Sequence, residues 1–147
     1  MRSSRPVDFL AYRPHGRLVA AIEVSRKTGS TPDWAAEVRD AVMGSNELGD
    51  VPYFVLVAAD RIYIWGVGSP AGAPPSHVAE TSTALEWYFR RAGVDAAAIH
   101  GLAFETLVGW WLSDLTSGEP KAQADAVAES GLQSALEGSQ INHQDAA

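Results

Sequence analysis

Residues 7–25 read VDFLAYRPHGRLVAAIEVS. Two apolar runs, 7–12 (VDFLAY) and 18–25 (LVAAIEVS), flank the segment RPHGR, where Pro14 and Gly16 mark a turn. The pattern predicts a β-hairpin. The second run is apolar at successive positions, as in a central strand covered on both faces. A turn centred near Pro14 and His15 pairs residues equally distant from it, which sets Asp8 opposite Glu23. A carboxylate inside AAIEV is costly to bury without a partner. Two close carboxylates repel unless a cation or a proton lies between them. A hard divalent cation with oxygen ligands answers that need. An arginine such as Arg13 or Arg39, paired with Glu23, answers it equally well.

Downstream, Thr31 is placed to cap a helix and Pro32 suits its first position. Trp34, Ala35, Val38, Ala41 and Val42 share one face, and Gly49 is the expected left-handed cap. Strands are predicted over 52–59 (PYFVLVAA) and 62–67 (IYIWGV), with Asp60 and Arg61 turning between them. In the second, Tyr63 and Trp65 share one face and Ile62 and Ile64 the other, so helices are expected on both sides of the sheet. Residues 68–76 (GSPAGAPPS) read as a loop. A helix is predicted from His77 to Ala92, with Gly93 as cap. Another is predicted from after Asp95 to Leu115, with Phe104, Leu107, Val108, Trp111, Leu112 and Leu115 inward. Trp110 falls off that stripe and is expected at the surface, where it suits a dimer contact, whereas Trp34 and Trp87 are expected in the core. The order β-β-α-β-β-α-α predicts an α/β fold, a mixed four-stranded sheet flanked by helices.

The chain has 147 residues, enough for a single domain, placed at 5–116. Residues 117–147 lack aromatics and are rich in Gln, Ser, Gly and Ala. They are expected to form an acidic, mostly disordered tail, with at most a short helix around Ala124–Leu136. The absence of cysteine excludes disulfides, a thiol nucleophile and thiolate metal centres. The apolar runs are too short to span a membrane, and MRSSRPVDF does not read as a signal peptide, so a cytoplasmic location is expected. The net charge of −7 is uneven. Residues 1–39 carry seven basic groups against four acids, and the remainder is acidic. Phosphate contacts dominate nucleic-acid affinity, so only the basic N-terminal third suits that role. Nucleophile-elbow, P-loop and HExxH motifs are missing, and the four histidines are scattered.

From Arg5 to Gly66 the chain resembles the PD-(D/E)XK nuclease superfamily, the restriction-endonuclease-like fold. The resemblance is carried by Pro6-Val7-Asp8, by Glu23-Val24-Ser25 after the turn, by the helix PDWAAEVRDAV and by YFVLVAADRIYIWG. It implies a restriction-endonuclease-like core and a metal-dependent endonuclease acting on DNA phosphodiesters. Asp8, Glu23 and the Val24 carbonyl would hold Mg²⁺ or Mn²⁺. The lysine expected two residues after Glu23 is replaced by Ser25, leaving Lys27, four residues on, to take its role if the strand bends. Ser25 and Glu37 are auxiliary candidates. Arg13, Arg17 and Arg26 are candidate nucleic-acid contacts. Catalysis could thus be weakened or lost. The alternative is a non-catalytic scaffold on the same fold that associates with itself or with another protein.

Overall fold

A computed structural model describes residues 6–94, 101–119 and 124–144. The predicted hairpin forms from β1 (Phe9–Tyr12) and β2 (Leu18–Val24). Their antiparallel register pairs Phe9 with Ile22, Leu10 with Ala21 and Ala11 with Ala20, then shifts so that Tyr12 meets Leu18. The irregularity lies beside the turn, where Gly16 takes φ 94°, a value that glycine adopts without steric cost. Arg13 and Arg17 close the turn through a main-chain hydrogen bond of 2.8 Å.

Helix α1 (Pro32–Asn46) starts as the sequence predicts, with the Trp34 N–H donating to Thr31 Oγ1 at 3.2 Å. Its end differs. Glu47, not Gly49, is the left-handed cap, with φ 51°. Strand β3 (Tyr53–Val57) then runs parallel to β2, and β4 (Arg61–Trp65) returns antiparallel to β3.

Two further strands extend the sheet beyond the four that were expected. Residues 77–80 form β5 (His77–Glu80), antiparallel to β4, where the helical reading of this stretch fails. Ala and Glu favour helix, but main-chain bonds from Ser76 N–H to Ile64 O and from Thr81 N–H to Asp60 O hold the segment along β4. Helices α2 (Thr81–Ala84) and α3 (Glu86–Ala92) follow. Helix α4 spans Gly101–Ser117, and the predicted start after Asp95 lies outside the described residues. The C-terminal segment corrects the expected tail. It forms α5 (Asp125–Ser130), α6 (Leu132–Leu136) and β6 (Gln140–His143), which pairs antiparallel with β1. The sheet is six-stranded and mixed, in the order β5-β4-β3-β2-β1-β6.

Both faces are covered. On one side Val7, Ala21, Phe54, Leu56, Tyr63 and Trp65 pack under α1. On the other, Phe9, Ile22, Val55, Val57, Ile62 and Ile64 pack against α2 to α6, including Trp111, Val127, Leu132 and Leu136. The predicted face assignments of Tyr63, Trp65, Ile62 and Ile64 are observed. Trp110 is exposed, as expected. Trp87 is not in the core but surface-accessible, lining an α3–α4 groove with Trp110. Among the described residues no helix is long and apolar enough to cross a membrane.

Candidate functional site

The hairpin register, extended one residue beyond Phe9, brings Asp8 and Glu23 face to face. Both carboxylates are buried, at 4% and 8% exposure. The main chain of each strand grips the side chain of the other. The Asp8 N–H donates to Glu23 Oε1 at 3.3 Å, and the Val24 N–H donates to Asp8 Oδ2 at 2.8 Å. A long carboxylate on one strand and a short one on the other thus terminate the ladder with side-chain acceptors.

Three outside elements position this pair. Asn46, at the end of α1, accepts the Val7 N–H at 3.0 Å through Oδ1, while its Nδ2 is anchored on Val42 O at 3.0 Å. The C-terminal segment returns alongside β1, where the Gln144 N–H donates to Asp8 O at 2.7 Å. The His143 ring stacks on Phe9 with centroids 4.4 Å apart. On the other side of β2, the Ser25 N–H bonds Val57 O and the Ala59 N–H bonds Lys27 O, so the chain stays tied to β3 past the end of the strand. Sequence reasoning missed Asn46 and Gln144. An asparagine at a helix end reads as a cap residue, and the partner of Gln144 is a strand at the other end of the chain.

Beyond the pair a polar clasp holds the loop before α1. Asp60 accepts from Ser30 Oγ at 2.6 Å and from Ser30 N–H at 3.0 Å, and Ser30 Oγ also meets Tyr63 Oη at 2.8 Å. Burial pushes the Asp60 carboxyl up. The Ser30 hydroxyl and N–H, its own N–H and the Arg61 guanidinium outweigh burial and hold it below the usual carboxylate range.

The other predicted site residues are dispersed. Lys27 places its Nζ 5.5 Å from the centroid of the Trp34 ring. Ser25 Oγ accepts the Lys27 N–H at 3.2 Å. Glu37 lies exposed on α1, and Arg26 is exposed just past Ser25. Arg13 and Arg17 sit at the opposite end of the hairpin. Neither alternative partner for Glu23 serves. Arg13 is at that far end. Arg39 is buried beside the loop after β4, donating to Ser69 O at 2.9 Å and Pro70 O at 3.0 Å with its guanidinium 5.5 Å from the Trp65 ring centroid.

Asp8 and Glu23 offer hard oxygen atoms, the donor type that Mg²⁺ and Mn²⁺ select, and the hairpin register sets the two side chains beside each other. Among the described residues no group of three His, Cys, Asp or Glu side chains gathers to hold a metal ion. The chain matches no family model, no curated protein and no solved structure.

Proposed function

We propose that this chain is a divergent PD-(D/E)XK-type domain that binds a divalent cation and acts on DNA phosphodiesters. The observation that carries the reading is the buried cross-strand pair of Asp8 and Glu23 with its reciprocal main-chain bonds. The hairpin, crossover helix and parallel third strand provide a setting consistent with such a core. When bound, Mg²⁺ or Mn²⁺ supplies a Lewis acid that lowers the pKa of water and offsets charge on the scissile phosphate. Asp8, Glu23 and the Val24 carbonyl hold and orient that ion. Lys27, whose ammonium lies over the Trp34 ring, takes the role of the missing motif lysine in this reading.

That placement favours a second reading, a metal-binding scaffold with little or no hydrolysis. An ammonium on an aromatic face is stabilised there by about 0.5–1 kcal/mol at an exposed site, a modest barrier to release. Calorimetric titration of Mn²⁺ into the wild type and Asp8→Asn/Glu23→Gln tests the first reading. Binding in the wild type that disappears in the double variant supports it, and no binding at millimolar Mn²⁺ overturns it. Plasmid nicking by the wild type and Lys27→Ala then separates the two readings. Nicking that depends on Lys27 supports hydrolysis, and metal binding without nicking leaves the scaffold.

A further inference from the structure

The turn of the hairpin carries a second feature. Arg13, His15 and Arg17 line a cavity of about 260 Å³ whose floor is Leu18, Val19, Pro52, Tyr53, Val67 and Ala135. None of these lining residues is acidic, on a chain of net charge −7. Of the other described arginines, Arg26 is exposed past the far end of β2, and four are engaged within the fold. Arg39 binds carbonyls, Arg61 meets Asp60, Arg90 meets Glu86 and Arg91 lies over Trp87. Among the described residues neither Arg13 nor Arg17 has a carboxylate within 4.0 Å.

We propose that this cavity binds a phosphomonoester. Arg13 and Arg17 are tied together by a main-chain bond across one turn, His15 lies between them in sequence, and all three residues line the cavity. Three donor groups match the three terminal oxygens of a phosphomonoester, whereas a carboxylate offers two and a backbone diester two. Guanidinium forks suit phosphate in particular. The floor is apolar apart from Tyr53, whose hydroxyl donates to Ser130 O at 3.3 Å, so it accepts the organic substituent. The volume lies below the roughly 300–1,000 Å³ of clefts that enclose a drug-sized ligand, so a phosphoryl group with a small substituent fits. Strand β2 separates the turn from Glu23 by roughly 17 Å at about 3.3 Å per residue. The cavity is therefore distinct from the carboxylate pair, and the proposal does not depend on the metal reading.

Phenyl phosphate, titrated into the full chain without divalent metal and followed by NMR at the His15 and Tyr53 side chains, tests it. Saturable shifts at both, weakened about tenfold or more in Arg13→Gln and in Arg17→Gln, support the proposal. Inorganic phosphate is expected to bind the same residues more weakly. No shift at either residue overturns it, and so do shifts that survive both substitutions. If a single-stranded oligonucleotide without a terminal phosphate binds there more tightly than phenyl phosphate, the site is a nucleic-acid backbone contact and the phosphomonoester assignment fails. The amide spectra of both variants, matching the wild type away from the turn, show that each has folded.

Discussion

Strand β1 has two neighbours that reach it by different routes. β2 follows after a five-residue turn, and its register comes from apolar patterning on both sides of that turn. β6 returns from the far end of the chain, is four residues long and carries mostly polar side chains. Both neighbours end on Asp8: β2 through the Val24 N–H on its carboxylate, and the C-terminal segment through the Gln144 N–H on its carbonyl. The candidate site thus combines local contacts across the hairpin with a long-range contact on the same residue. The comparison teaches that the side chain and the main chain of one residue can be held by opposite ends of a sequence.

The largest test of the long-range half is in α6. Leu136 is fully buried against the sheet. Leu136→Ala is expected to cost about 2–5 kcal/mol, read from the urea midpoint. A shift near zero would show that the C-terminal segment is an appendage rather than part of the core. The next effect concerns the loop between β2 and α1, where Asp60 clasps Ser30. Asp60→Ala removes charge-assisted bonds and is expected to cost about 1.5–3 kcal/mol at neutral pH. Because the folded carboxyl lies below its ordinary range, this stabilisation is present above the unfolded pKa and is lost as pH falls through the folded one. Wild type and variant should therefore converge in acid. A gap that stays constant down to strongly acidic pH would sink the assignment to this carboxylate.

The difference between the two halves also explains what could be read in advance. The facing of Asp8 and Glu23 follows from turn position and period-two alternation, both local properties. So do the Thr31 cap, the split of Tyr63 and Trp65 from Ile62 and Ile64, and the inward stripe of α4. The C-terminal segment was legible only in part, since the helix expected around Ala124–Leu136 forms as α5 and α6, whereas their docking and β6 were not, for a physical reason. Helices of five or six residues do not persist alone, and each contributes only one or two apolar anchors, Val127 in α5 and Leu132 and Leu136 in α6. Their order comes from packing on the far face of a sheet made by earlier residues. β5 was hidden likewise, since Ala79 and Glu80 favour helix and only the β4 edge selects a strand. Lys27 was legible as a cation but not as a partner of Trp34, because the contact depends on how the chain leaves β2. Trp87 was read as core because the exposure of one face of α3 depends on where α4 packs.

Asp8 separates structural from chemical roles within the site. Asp8→Ala leaves the part-buried Val24 N–H without its acceptor, at an expected cost of about 1–3 kcal/mol. Asp8→Asn keeps an acceptor oxygen in place and should cost less, while the proposed metal site predicts weaker Mn²⁺ binding in both. Equal destabilisation by the two substitutions would show that the charge, rather than the hydrogen bond, holds the hairpin end together.

The smallest effect tests whether the two neighbours of β1 are coupled through it. The His143 ring stacks on Phe9 and its Nε2 lies 3.0 Å from Glu105 Oε1. Stacked aromatic pairs contribute about 0.5–1.5 kcal/mol beyond area burial, while a partly exposed hydrogen bond such as that to Glu105 adds about 0.5–1.5 kcal/mol or less. His143→Phe retains the ring and loses the Glu105 contact, whereas His143→Ala loses both. Ala is therefore expected to destabilise by about 0.5–1.5 kcal/mol more than Phe. Phe9 precedes the Leu10–Ala21 pair and follows Asp8, so loosening its outer face should speed hydrogen exchange at the Gln144 amide before it affects Val24. Faster exchange at Val24 with Gln144 unchanged would reverse that order, and would mean that Asp8 is held by its own hairpin alone.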